Sequence, residues 1–280
     1  MTDIQKYSYH THNNSQDIFD GKSSAEEMIA QAENLGFEEI GVSNHLCVHP
    51  NIPTNASRMF FDNPQKAIEI YKKMYNELDE VASHHKIKVF KGFEVDFFPS
   101  ATWRSWFETI IKEVDYDYLI GASHFICAAD ESFLCNIYHL NKLPANIDSD
   151  IMQEYLRGYW KNVKGAVESG YFDFIAHFDY CTQFDLCTTP KWDEVKQNVV
   201  EIFSSHKQPF EINTGGIERI GRPFPDWNII EELVKREVPV VISCDSHHTS
   251  QIGRYFVEAE NFLTKIGCKY RFKLQKTINK

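Results

Sequence analysis

Seven short β-like runs alternate with longer amphipathic stretches along the whole 280-residue chain, and this alternation restricts the fold more than any other feature. The runs are KYSYH (6–10), EIGVS (39–43), IKVFKGF (87–93), YDYLIGA (116–122), FDFIAH (172–177), PFEIN (209–213) and VPVVIS (238–243). Segments 23–36, 63–85, 150–170, 226–237 and 254–267 between and after them carry helical periodicity. The first opens on a Ser23–Glu26 capping box and closes on Gly36. Repeated strand–helix units predict α/β architecture with a parallel sheet in one domain, 1–280. Their number suits a distorted (β/α)7 TIM-like barrel better than an open doubly wound sheet. No GxGxxG or GxxxxGK[ST] is present, so nothing supports a nucleotide cradle. Two longer loops, 46–64 and 125–149, follow strand ends, where barrel enzymes place substrate-covering segments.

The carboxyl ends of these runs hold the chemistry. The first ends on His10 and His12, the second on His45, the third on Glu94 and Asp96, and the fourth on His124. The fifth ends on His177 with Asp179 behind it, the sixth on Glu211 and Asn213, and the seventh on Asp245 and His247. His10-x-His12 alone reads equally well as two exposed polar residues at a strand end. In a parallel barrel, however, all seven ends meet in one ring. Six of the twelve histidines fall there, although capping alone would favour Ser, Asn, Asp and Gly. Imidazoles and carboxylates together suit Zn, Mn or Fe, and their number implies two or three divalent ions, with Glu94 as a bridging candidate.

Composition narrows the class further. A net charge of −11 argues against nucleic acid or an anionic membrane as the main partner. It leaves room for a small phosphorylated substrate, because metal ions reverse the local field. Seven cysteines, with no CxxC pair and no signal-like start, point to free thiols and a cytoplasmic protein.

The order HxH, NH, GFEVD, SH, HFD and DSH resembles the PHP (polymerase and histidinol phosphatase) domain family. The stretches LIGASHFI, FIAHFDY, EINTGG and SCDSHHTSQIG resemble its histidinol-phosphate phosphatase branch. The resemblance implies the PHP fold and a trinuclear centre. Its ligand sets fall on His10, His12, Glu94 and Asp245; on Glu94, His124 and His177; and on Asp20, His45 and His247. Asp20 sits two residues later than the family spacing, with Asp17 as its competitor and Gly21 as the expected turn residue. Asn44 stands where the family usually carries aspartate. Asp96 and Asp179 read as carboxylates behind the ligands or as ordinary surface aspartates.

The implied reaction is L-histidinol phosphate plus water to L-histidinol and phosphate, a step of histidine biosynthesis, using a metal-bound hydroxide. Asp245 or His247 would relay the proton. Arg219, Arg222 and Arg254 are the candidates for phosphate binding, each also readable as a surface arginine, and no basic residue follows strand five near CTQF. Phe125, Phe133, Tyr138 and His139 form a candidate lid. The alternatives are a PHP phosphoesterase acting on nucleotide monophosphates or phosphodiesters, and a non-catalytic metal-binding domain.

Overall fold

The computed structural model describes residues 4–52, 59–127, 134–140 and 149–275. Seven parallel strands stand in chain order: β1 (Tyr7–Ser8), β2 (Glu39–Val42), β3 (Lys88–Asp96), β4 (Tyr118–Ala122), β5 (Phe174–Ile175), β6 (Phe210–Asn213) and β7 (Val240–Ser243). Outside them lie α1 (Ala25–Asn34), α2 (Pro64–Ala82), α3 (Ala101–Glu113), α4 (Ser149–Ser169), α5 (Asp193–His206), α6 (Trp227–Lys235) and α7 (Phe256–Lys265). The expected barrel is present. Sequence periodicity does not reveal α3 and α5. Helix α3 is crowded with Trp103, Trp106 and Phe107, which are poor helix formers, and depends on the Ser100 cap and on burial of Trp103, Phe107 and Ile110. The capping box of α1 lies one residue later than expected, on Ser24 and Glu27. Ser23 is drawn away because its carbonyl accepts from Asn14 N. Part of the 46–64 loop is strand: His45–Val48 continues along β3 and also pairs with Phe60–Phe61.

The barrel is nearly closed. Between β7 and β1 the ladder shrinks to a single parallel bridge, Thr11 to Ser246, with His12 N donating to Ser246 O at 2.7 Å. Lower on this seam a side chain replaces the missing strand backbone. The Gln5 amide donates to Ile242 O at 2.7 Å and accepts from Ile242 N at 3.2 Å. Glu260 fixes Gln5 by accepting from its backbone N at 3.0 Å, and Arg271 donates to the Gln5 side-chain oxygen at 2.8 Å. The chain end joins the same seam, since Phe272 N donates to Val240 O and buried Leu274 reaches the interior cluster.

Side chains alternate along a strand, so the inward set can be read at every second residue. On β3 it runs Phe90, Gly92, Glu94, Asp96, and on β4 and beyond, Tyr118, Ile120, Ala122, His124. Tyr9, Phe90, Tyr118, Ile120, Phe174 and Val241 fill the lower barrel as one buried cluster. Gly92 is required there: a Cβ would lie 2.1 Å from the Tyr118 ring, whose hydroxyl donates to Tyr9 O at 2.6 Å. The inward set thus changes from apolar to ionisable toward the carboxyl ends, and the aromatic plug forms the floor of the site. Among the described residues, no helix is long and apolar enough to cross a membrane.

Gln5→Leu removes the side chain that satisfies both backbone groups of Ile242. Urea unfolding is expected to show a loss of about 1–3 kcal/mol. A loss below about 0.5 kcal/mol would mean the seam closes without Gln5.

Candidate metal centre

Glu94, 1% exposed near the end of β3, is the hub. His45 lies opposite it in register, with Nδ1 2.7 Å from Oε2. His177 Nε2 stands 3.0 Å from Oε1, His10 Nε2 3.3 Å and His124 Nε2 3.6 Å from the same oxygen, and His12 Nε2 3.5 Å from Oε2. Asp245 forms a second centre of charge, its Oδ1 3.2 Å from His12 Nε2 and 3.5 Å from His247 Nδ1. Its φ of +48° is a left-handed conformation that aspartate tolerates better than most residues, and the turn follows directly on β7. Asp20 Oδ2 closes the outer edge, 3.2 Å from His247 Nε2 and 3.5 Å from His45 Nε2. All nine expected ligands therefore come together. They fall into four groups whose donor atoms lie within 4.8 Å of one another: His12, Asp20, His45, His247; His10, His177, Asp245; His10, His12, Glu94; and His45, Glu94, His124.

The residues fit metal ions on their own terms. His10 Nε2, both ring nitrogens of His12 and Glu94 Oε2 are buried without a hydrogen-bond partner. Buried polar atoms are seldom left this way unless something else is meant to meet them. Burial, followed by the charges of His247 and His45, pushes His12 down to about 4, so it stands as a neutral donor. Burial opposes the charge on Glu94, yet His45, His10 and His124 hold it well below the usual carboxylate range. Asp245 is also buried, and His10 and His12 hold it down. Hard carboxylate oxygens and imidazole nitrogens on one spot are what Zn, Mn or Fe take as ligands.

Behind the donors stand orienting groups. Glu211, fully buried on β6, lies 2.7 Å from His10 Nδ1 and accepts from His177 N at 3.0 Å. Sequence reading placed Glu211 at a strand end without a role. The signal was its inward position on β6, which puts a carboxylate beneath two histidines. Asp96 accepts from His124 N at 2.6 Å and lies 3.3 Å from its Nδ1. Asn44 faces Asn13 instead of a histidine: its Oδ1 accepts from Asn13 N and its Nδ2 donates to Asn13 Oδ1, both at 2.9 Å. The Asp17 side chain is exposed, and Asp20 is the aspartate that meets the histidines. Gly21 is needed for close approach, since a Cβ would sit 2.3 Å from the Asn13 backbone.

A cavity of about 560 Å³ opens over the donors. Asp20, His45, His124, Asp245 and His247 line its floor, and Met59, Phe60, Phe125, Asn136 and Tyr138 its outer wall. Of the three candidate arginines, Arg219 lines this cavity. Arg222 is held by Asp179 at 3.3 Å and Asp226 at 3.1 Å, and Arg254 by Glu218 and by Cys244 O at 2.8 Å. Lys22, not expected from sequence, is a second cation on the cavity wall. Asp179 meets Arg222 and Asp226 N, not a site histidine. Of the candidate lid, Phe125 and Tyr138 line the cavity, while Phe133 and the side chain of His139 lie outside the described residues.

The sequence model of the PHP domain matches residues 8–215. The chain is 22% identical over 253 residues to a Thermotoga maritima protein named "Probable histidinol-phosphatase", covering 90% of this chain and 89% of that one. A Schizosaccharomyces pombe protein of the same name is 20% identical over 283 residues, covering 93% and 86%. Among solved structures, histidinol phosphate phosphatase from Lactococcus lactis, complexed with zinc, L-histidinol and phosphate, superposes with a TM-score of 0.70 at 17% identity over 98% of each chain. It shares the fold.

Two outcomes follow from this geometry. Glu211→Gln keeps the shape but weakens the grip on His10, and should lower metal affinity about 10- to 100-fold in a chelator competition. Unchanged affinity would assign Glu211 to packing alone. Burial pushes Asp179 up to about 7 against the opposing charge of Arg222. The folded protein therefore holds this proton more tightly than the unfolded chain. The resulting stability is full below the unfolded pKa of 3.8 and is lost as pH rises through about 7. Melting temperature should fall less steeply between pH 5 and 8 in Asp179→Asn than in the wild type, and parallel profiles would refute the assignment.

Proposed function

The chain belongs to the PHP domain family, and on that premise we propose that it is a metal-dependent phosphatase that hydrolyses L-histidinol phosphate to L-histidinol and phosphate. The observation that carries this reading is the convergence of six histidines and two aspartates around Glu94, with buried ring nitrogens left unpartnered. Divalent ions bound there supply Lewis-acid charge and lower the pKa of water at neutral pH. His10, His12, Glu94 and Asp245 would hold one ion and Glu94, His124 and His177 a second. Asp20, His45 and His247 would hold a third. These sets are the ones the family resemblance implies; by distance His177 also groups with His10 and Asp245, His124 with His45 and Glu94, and His12 with the third set.

The chain's other residues do the remaining work. Arg219 and Lys22 line the cavity as cations for the phosphate dianion. Asp245 or His247, 3.5 Å apart at Oδ1 and Nδ1, would pass a proton to the leaving alkoxide oxygen. Phe60 and Phe125, edge to face at 5.0 Å, offer an apolar wall to a planar ring and keep water from that half of the cavity. The names of the two relatives and the ligands of the L. lactis structure support the substrate.

One observation favours a second reading, a phosphoesterase of nucleotide monophosphates or diesters. After β5, near the CTQF stretch where the histidinol-phosphate branch is expected to carry a basic residue, this chain has none, and the arginine that reaches Thr182 there, Arg222, is paired with carboxylates.

Phosphate release from L-histidinol phosphate, AMP and p-nitrophenyl phosphate separates the two. A kcat/KM for histidinol phosphate about a hundredfold or more above the others is expected, near 2.7 kcal/mol of transition-state discrimination. Comparable turnover of all three would move the substrate to the second reading. Removing metal with a chelator should abolish turnover, and adding back Zn²⁺ or Mn²⁺ should restore it. Activity that survives removal would overturn the metal role.

A further inference from the structure

The guanidinium of Arg219 differs from its neighbours. Arg222, Arg236, Arg254 and Arg271 each meet a carboxylate. Arg219 lines the cavity together with Asp245, whose charge favours its cation, but forms no direct ion pair among the described residues. A long side chain at a cavity mouth loses rotamer freedom when fixed, so something must hold it there. What holds it is Tyr180: Arg219 Nη1 donates to the phenol oxygen at 2.6 Å, and the guanidinium carbon lies 5.7 Å from the ring centroid.

Tyr180 is itself closely packed. It is 1% exposed, and its ring centroid lies 4.8 Å from that of His177, 5.8 Å from that of His124 and 5.1 Å from that of Phe224. Its hydroxyl also meets the Tyr138 hydroxyl, which belongs to the short helix Ile137–Leu140 beside the cavity. One phenol oxygen thus has a cation on one side and a second phenol on the other. The ring beneath it leans on two of the proposed metal ligands.

We propose that Tyr180 is a positioning residue, whose hydroxyl fixes the Arg219 guanidinium over the donor cluster and leaves its remaining N–H groups free for phosphate oxygens. The inference rests on the phosphatase reading and deepens it. Arginine presents five N–H donors in a rigid fork, so one bond to a phenol costs little of its capacity and sets its direction. Tyr138 gives the phenol its second partner, so the oxygen both accepts from arginine and takes part in a hydroxyl–hydroxyl bond. In this arrangement the segment after β5 contributes to phosphate binding through a neutral side chain that aims a cation held on the short helix Gly215–Ile220 after β6.

The test is calorimetric titration of the metal-loaded protein with inorganic phosphate. Tyr180→Phe keeps the ring packing and removes only the oxygen. It should weaken phosphate binding about tenfold, as expected for losing one hydrogen bond to a charged group. Arg219→Met should weaken it at least as much, and the double variant should bind within about twofold of Arg219→Met alone, because the hydroxyl acts only through the guanidinium. With a hydrolysed phosphomonoester, Tyr180→Phe should raise KM more than it lowers kcat. Phosphate affinity of Tyr180→Phe within about twofold of wild type, or two losses that simply multiply, would overturn the proposal. A wild type that binds no phosphate overturns both this inference and the phosphatase reading. A wild type that binds phosphate but hydrolyses no phosphoester overturns only the latter, and the titrations still decide the role of Tyr180.

Discussion

The molecule is organised around one buried carboxylate. Taking Glu94 out of water costs several kcal/mol unless charge or hydrogen bonds replace the lost hydration. Five imidazoles surround it within 3.6 Å, delivered by the ends of β1, β4 and β5 and by the segment after β2. That arrangement exists only if the strands keep register: His45 must stand opposite Glu94, and the Thr11–Ser246 bridge must bring His12 to Asp245. The barrel and the site are thus one constraint. The Gln5 clasp on the seam and the tyrosine plug under the floor hold the frame in which the donors meet.

The strand ends were legible because chemistry and geometry repeat together there. A histidine, aspartate or glutamate after every β run is improbable as surface decoration, and a parallel barrel sends all such residues to one mouth. Asp20 was legible by resemblance, although the reason for Gly21 was not: it yields space to the Asn13 backbone, a contact no local pattern records. Glu211 went without a role because its importance depends on which histidines lie above β6, a relation between strands 201 residues apart in sequence. The cations were the least legible. Arg219, Arg222 and Arg254 look alike in a string of letters, and only packing shows that two are bound to carboxylates.

That contrast has a physical origin. Each donor in the centre is fixed by several others, so losing one leaves a buried charge or an orphaned nitrogen, and its residue types can change little. The proposed phosphate-facing cations of the rim, Arg219 and Lys22, are exposed or half-buried and held by few contacts. A cation there can move one position along a turn, or be exchanged for another element's cation, at small cost in folding. Arg219 and Lys22 on the cavity wall, with no basic residue in the CTQF stretch after β5, fit that freedom.

The same freedom explains why the rim should determine what the protein acts on. Metal donors recognise only the phosphoryl group, which all phosphomonoesters share. Discrimination has to come from groups that touch the leaving alcohol or aim the cations, and on the proposed reading these are Phe60, Phe125, Tyr138 and the Tyr180–Arg219 pair. A rigid centre with a variable rim separates the two demands: the floor supplies the charge that lowers the barrier, and the wall decides whose barrier is lowered.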